Sequence, residues 1–301
     1  MTENTEANTV EAKVVNGFVA GEIGGNPAGV VLDADGLSES DMLSIAAKVG
    51  LSETAFVSRS KTEGFKLDFF TPKMRIAHCG HATIATFSYL AELGRVQEGV
   101  TSKETVDGPR KIIIKAGAAY MEQKAPVYKT SAEWGQGVTE EHIIASLGIA
   151  AEDIDARCAP ILVNTGNSFI VIGVKSTDIM RSLQPDQAVI NEISEKLDLI
   201  GYYVYTTDGC SHEHIATTRM FAPRYGIPEE AATGMAAGPL ACLLFDHLGF
   251  KQERIVIRQG EFMQPASPSI ITVDFDLENG SITGLMAGGY GKSMRTQTIS
   301  Y

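Results

Sequence analysis

Along this chain the spacing of apolar positions switches between the alternation of strands and the three-to-four repeat of helices. Residues 12–19 alternate as a strand. A glycine-rich turn and Gly25-Asn26-Pro27-Ala28-Gly29 lead into a second strand, VVL. Ser38, with Asp41 three residues on, predicts the N-cap of a helix running to Val49. Met42, Ile45, Ala46 and Val49 form its apolar face, and Gly50 ends it. LSETAFVS alternates again and carries Glu53; 66–70 is a further strand, and 111–115 with 118–122 predicts a hairpin.

The stretch from Leu67 to Gly94 organises this first half. A strand meets a turn at Thr71-Pro72, and a helix then opens at Cys79-Gly80-His81-Ala82-Thr83 and closes at Gly94. From Ile84 to Leu93 only Glu92 is charged, so the helix has no polar side and is predicted to be buried among strands. Its first turn is made of small residues, which would let an anion approach the backbone N–H groups there.

The polar segment 123–137 reads as a linker, and Thr139 then caps a short helix ending at Gly148. Thereafter the order of elements begins again. Thr165-Gly166-Asn167-Ser168 leads into FIVIGV, 183–197 is a helix and 202–206 a strand. Arg219-Met220-Phe221-Ala222-Pro223 precedes a second apolar helix after Ala232-Thr233-Gly234-Met235, ending at Gly249. Landmarks are offset by about 141 residues at Asn26 and Asn167, rising to about 155 at Gly94 and Gly249, the mark of an internal duplication. The expectation is an α/β (α+β) protein of two similar units, 10–124 plus about 284–301 and 125–283, each wrapped on its own helix. The loops before Ala82 and Met235 would then line a cleft between the halves.

One mismatch stands out. Opposite Ser52-Glu53-Thr54 the second half offers Gly201-Tyr202-Tyr203, so only the first half supplies a carboxylate. Glu53 shares a strand face with Ala55 and Val57, where desolvation is expected to raise its pKa towards neutrality and suit it to moving protons.

A net charge of −12 argues against nucleic acid or an anionic membrane as partner. No apolar run reaches the length of a membrane span, and MTENTEANTVEAK lacks the features of a signal peptide and reads as a disordered lead-in. A cytoplasmic location is expected. The four cysteines, Cys79, Cys158, Cys210 and Cys242, form no CxxC pair, which argues against structural zinc or a disulfide framework. His78 and His81 flank Cys79 in a loop too tight to converge on one ion, so no metal site is expected.

GNPAGVV, LSETAFV, FTPKMRIAHCGHAT and FAPRYGIPEEAATGMAA, in that order, resemble the PhzF-type (phenazine-biosynthesis-like) isomerases of the diaminopimelate epimerase-like fold. The resemblance implies two pseudo-symmetric domains, each a curled sheet around a central helix, with no cofactor and commonly a homodimer. It implies Glu53 as the base that takes a proton from carbon and returns it elsewhere, and His81 and Glu230 as catalytic partners. Asn26, Cys79, Gly80, Ala82, Thr233, Gly234 and Met235 would bind substrate. Cys79 stands where related two-base epimerases place one thiol, while Ala232-Thr233-Gly234 offers no second thiol, leaving a one-base proton relocation.

Departures from the family pattern include Met235 in place of a serine, Arg75 in place of a glutamate, Glu230 in place of an aspartate and Asn16 in place of an aspartate. The expected activity is isomerisation of a small carboxylate-bearing metabolite. A dehydratase and a non-catalytic small-molecule-binding protein are the alternatives.

Overall fold

A computed structural model describes residues 8–211 and 213–301. The chain divides into two compact units, one made of residues up to 22, 26–121 and 289–301, the other of 23–25 and 122–288. Of the expected N-terminal lead-in, residues 1–7 lie outside the described residues. Residues 9–13 are strand, paired to the last strand of the chain.

The first unit contains β1 (Thr9–Gly17), β2 (Asn26–Val31), α1 (Glu39–Val49), β3 (Thr54–Ser58), β4 (Phe65–Phe70), β5 (Arg75–Ile76), α2 (Gly80–Glu92), β6 (Gly99–Thr105), β7 (Gly108–Lys115) and β8 (Ala118–Lys124). The closing strand β18 (Gly291–Ser300) also belongs to it. Strand β1 pairs antiparallel with β18 on one side and β2 on the other. Beyond them β2–β3 is parallel, β3–β4 antiparallel and β4–β6 parallel, with β5 antiparallel to the other end of β4. Strands β6, β7 and β8 follow as an antiparallel meander.

The second unit contains β9 (Val127–Lys129), α3 (Ser131–Trp134), α4 (Glu140–Ser146), β10 (Ile161–Asn164), β11 (Ser168–Gly173), α5 (Thr177–Ser182), α6 (Gln187–Leu197), β12 (Gly201–Thr206), β13 (Ala216–Ala222), β14 (Ile227–Glu230), α7 (Gly234–Asp246), β15 (Arg254–Gln259), β16 (Ser269–Glu278) and β17 (Ser281–Gly289). Its pairings repeat those of the first unit one for one. They run β9–β10–β11 antiparallel, β11–β12 parallel, β12–β13 antiparallel, β13–β15 parallel with β14 alongside, then β15–β16–β17 antiparallel. Strand β9 joins β10 as β18 joins β1.

Local chemistry explains the helices. Ser38 Oγ accepts from Asp41 N–H while Asp41 accepts from Ser38 N–H, a reciprocal cap that starts α1, and Gly50 stops it with a φ of 70°. Helix α1 covers one face of its sheet, packing Met42, Ile45, Ala46 and Val49 with Phe56 and Phe70. Helix α2 lies against β1, β2, β3 and β18 and is buried continuously from Gly80 to Ser88. Gly17 permits that approach, since a Cβ there would sit 2.9 Å from the His81 carbonyl oxygen. In the second unit α6 packs against Tyr202 and Val204, and α7 is buried along nearly its whole length.

Several expectations need correction. The supposed linker 123–137 holds β9 and α3, and Trp134 is buried with its indole N–H donating to Lys129 O at 2.9 Å. Strand β6 was not foreseen, because only its Lys103 and Thr105 are buried and the segment reads as polar. The expected helix 183–197 begins only at Gln187, capped by Asp186, whose Oδ1 accepts from Ala188 and Val189 N–H, and a separate short helix, α5, ends before it at Ser182. Helix α7 begins at Gly234, so Pro239 lies in its second turn and leaves one carbonyl without its helical donor. Among the described residues no helix is long and apolar enough to cross a membrane.

The internal alignment also shifts by one. Helices α1 and α6 both end in a left-handed cap, at Gly50 and Asp198, and Thr54 pairs with Phe70 as Tyr202 pairs with Phe221. Position 53 therefore matches Gly201, not Tyr202. A Cβ on Gly201 would lie 2.2 Å from the Phe221 carbonyl oxygen, so this position has no room for any side chain. Gly201→Ala is expected to destabilise the protein by about 3 kcal/mol in urea unfolding, as overpacking does. Gly36→Ala, which meets nothing within 4 Å, should leave the transition unchanged.

Candidate active site

Strand parity places the first functional side chain. Phe56 packs towards α1, so Ala55 and Val57 point to the opposite face, towards α2, and Glu53 just before β3 continues that face. Its backbone is held by the ladder, the Glu53 carbonyl accepting from Gly29 N–H at 3.0 Å. The Glu53 side chain is buried, and so is His81 in the first turn of α2. Their facing atoms, Glu53 Oε2 and His81 Nε2, are 3.2 Å apart.

Burial pulls the Glu53 pKa upwards, but the charge and hydrogen bond of His81 and a hydrogen bond from Ser52 outweigh it, and the carboxyl ends below its ordinary value. The expectation of a raised pKa is thus overturned. It rested on the apolar strand face alone and left out the imidazole that only the fold brings in. Glu53 is an anion at neutral pH, ready to accept a proton.

Cys79 is the N-cap residue of α2, in extended conformation with no side-chain capping bond, and its thiol is buried. Its Sγ lies 3.5 Å from His81 Nδ1. Burial pushes the thiol pKa up, against the opposing effect of His81. Gly80 opens the helix without a Cβ, and Thr83 Oγ1 donates to the Cys79 carbonyl at 2.6 Å, tightening the turn. Donor atoms of Glu53, Cys79 and His81 all lie within 4.8 Å of one another, a set chemically able to bind a soft divalent ion. However, the thiol and the carboxylate face different ring nitrogens of His81. That geometry aligns three groups for holding protons in a row rather than around one ion. Asn26 is buried at the start of β2, opposite Gly17 in the β1–β2 ladder.

The sequence reading missed Lys103. This β6 residue is fully buried, and its Nζ donates to Thr83 Oγ1 at 2.6 Å, lies 3.1 Å from His78 Nδ1 and sits 4.9 Å above the Phe69 ring. It thus braces the turn that carries Cys79, Gly80 and His81. Phe65 pairs with Lys103 as Ala216 pairs with Ile257, so the duplicated position in the other unit is a buried isoleucine. Desolvation lowers the Lys103 pKa to about 7. His78 is held well below the usual histidine range by burial and by the charges of Lys103 and Arg110. A single lysine in a polar strand gave no signal; the isoleucine at its repeat position was the one available.

The remaining expected residues gather in the second unit. Thr233 is the N-cap residue of α7 and Gly234 its first residue. The Thr233 hydroxyl donates to the Glu230 carboxylate, while its N–H donates to Gln259 Oε1 at 3.1 Å. Gln259, fully buried, also donates to the Glu230 carbonyl at 2.7 Å and accepts from Tyr203 OH at 2.9 Å. Met235 Sδ accepts from Asn167 Nδ2 at 3.4 Å. Glu53, Cys79, Gly80, His81 and Ala82 therefore form one group, and Glu230, Thr233, Gly234 and Met235 another, organised by Gln259. Arg75, one of the departures from the family pattern, is tied to buried Asp68 and to Glu39 of α1, on the side of the sheet away from α2.

The family profile described as "Phenazine biosynthesis-like protein" matches residues 15–288. An uncharacterised isomerase of Clostridium acetobutylicum is 34% identical over 239 residues, covering 77% of this chain and 78% of that protein. The trans-2,3-dihydro-3-hydroxyanthranilate isomerase of Pseudomonas chlororaphis is 27% identical, covering 95% of this chain and 98% of that one. Among solved structures, a phenazine biosynthesis protein of the PhzF family from Bacillus anthracis superposes with a TM-score of 0.86 at 25% identity, covering 98% of this chain and 100% of that one. A hydroxyproline epimerase from Agrobacterium vitis shares the fold, with a TM-score of 0.59 at 13% identity, over 97% of this chain and 91% of that one.

Lys103 makes a pH prediction. The unfolded chain keeps this proton up to the ordinary lysine value of 10.5 and the folded chain releases it near 7, so between those limits the unfolded state binds more protons. Its contribution to stability therefore rises with pH across that window and is least favourable below it. Lys103→Met should raise the urea midpoint most at about pH 6, with the difference from wild type shrinking towards about pH 10. Parallel curves for the two proteins would contradict this account.

Proposed function

The chain belongs to the phenazine biosynthesis-like protein family, and from that premise we propose that it is an isomerase which relocates a proton on a small carboxylate-bearing metabolite through Glu53. The observation carrying this reading is the buried Glu53–His81 pair, 3.2 Å apart at the start of α2. Glu53, already ionised, takes a proton from a carbon next to an activating group and redelivers it to another carbon on the same face. His81 Nε2 and the first-turn amides of α2 stabilise the negative charge that develops as the proton leaves.

The reaction is assigned to one base without a cofactor. Where Cys79 stands in the first unit the second has Thr233, where His81 stands it has Met235, and where Glu53 stands it has Gly201. The second unit thus repeats the frame without repeating the acid–base groups. A role for Glu230, Thr233, Gly234 and Met235 in substrate binding, with Asn26 in the first unit, belongs to this proposal. So do a cytoplasmic setting and a homodimer.

The test is hydrogen exchange. Incubation in heavy water with trans-2,3-dihydro-3-hydroxyanthranilate and a panel of cyclic amino acids and hydroxy acids should place deuterium on carbon of at least one compound, read by NMR. Glu53→Gln should lower the exchange rate by about 10²–10⁴-fold, the range a positioned general base supplies. Undiminished exchange in that variant would remove Glu53 from the mechanism. A product lighter by one water would make the enzyme a dehydratase, and tight binding without exchange would make it a binding protein.

A further inference from the structure

The isomerase reading uses Glu53 and His81 and leaves Cys79 without a task, although its sulfur is built into the same array. One contact fixes that sulfur: it makes no capping bond to the helix and lies 3.5 Å from His81 Nδ1. The extended N-cap conformation, with φ −143° and ψ 122°, aims the side chain back over the turn instead of out to solvent.

Consider where the protons can go. A thiol kept protonated by burial directs its S–H to the ring nitrogen beside it, His81 Nδ1. Accepting there, Nδ1 carries no hydrogen, and a neutral imidazole must then carry it on Nε2. Nε2 is the atom 3.2 Å from the Glu53 carboxylate. The opposite tautomer would set a nitrogen lone pair against a carboxylate oxygen at that distance, a repulsive contact between two buried acceptors. Sulfur at one end and carboxylate at the other thus select the same form.

Resting on the proton-relocation reading above, we propose that Cys79 is a positioning residue that holds His81 in the Nε2–H tautomer, keeping a hydrogen-bond donor trained on Glu53 and on charge developing beside it. The thiol acts through the imidazole and forms no bond to substrate. This separates it from the nucleophilic or proton-shuttling thiols that its place in the fold would suggest. The second unit makes the same point in reverse. Thr233 occupies the place of Cys79 beside Met235, which has no tautomer to set, and its hydroxyl turns instead to Glu230.

Long-range proton–nitrogen NMR spectra of protein labelled with ¹⁵N-histidine, at about pH 7, test this directly, with His81 assigned by the signals lost in His81→Gln. Wild type should show Nδ1 as the unprotonated and Nε2 as the protonated nitrogen. Cys79→Ser, whose hydroxyl can still donate, should keep that pattern; Cys79→Ala should lose it for a mixture of tautomers. A hydrogen on Nδ1 in wild type, or an Ala variant with the wild-type spectrum, would overturn the proposal. The wild-type spectrum decides by itself if a variant fails to fold. Because none of these spectra depends on turnover, they would stand even if the deuterium exchange of the isomerase reading failed, and the converse holds as well.

Discussion

A carboxylate on the inner face of a strand, in line with alanine and valine, persists as an anion only where something close by offsets the loss of water. Here that something is the imidazole of His81, 3.2 Å away, reinforced by the positive end of α2. Removing the imidazole would leave a buried carboxylate without its donor, a loss of about 1–3 kcal/mol or more. The pair constrains the architecture around it. Glu53 must directly precede β3, α2 must begin opposite it, and β1 must be thin enough at Gly17 for the helix to come in. Each condition is met by backbone geometry, so the charge pair is preorganised by the sheet and does not depend on a flexible loop finding its place.

The duplicated frame shows which of these features serve folding and which serve chemistry. Both units build the same ladder and bury the same kind of helix, so the fold does not require a charged group at either helix start. Within that common frame the first unit places Glu53, Cys79, His81 and Lys103 where the second places Gly201, Thr233, Met235 and Ile257. Every one of these differences puts an ionisable group on one side and a neutral one on the other. A core that accepts isoleucine at one copy of a position has no packing need for lysine at the other, and burying that amine costs solvation. Such a concentration of ionisable groups in a single unit is hard to account for by packing and simple to account for by acid–base work.

Much of this was legible from the chain. The reciprocal cap of Ser38 and Asp41, the stops at Gly50 and Gly94 and the unbroken apolar run after Ile84 are local signals, and they led to the right helices. The gently rising offset from Asn26 and Asn167 to Gly94 and Gly249 exposed the duplication. Long-range pairing was what the chain concealed. Strand β6 looks polar because it buries only two side chains, and β9 hides among turn residues because its pairing with β10 is all that makes it a strand. The one-residue slip that set Glu53 against Tyr202 came from matching residue types where the deciding fact was the left-handed caps. At the site, the grouping of Glu53 with Cys79-Gly80-His81 rested on family motifs. The direction of the Glu53 shift was not readable at all, because His81 is near in space and distant in sequence.

Charge balance supplies the last step. A chain with a net charge of −12 is repulsive to anions at long range, yet the start of α2 presents the N–H groups that favour one. Within a few ångströms the balance reverses. Glu53 is held as an anion by its neighbour, the buried thiol stays protonated, and the Lys103 amine stands behind the turn through Thr83. A site assembled this way does not gather substrate from afar by steering. On the proposed reading a carboxylate would be met only at contact, by the oriented first-turn N–H groups of α2. The general proton chemistry belongs to the one unit that kept the acid, the imidazole and the thiol together.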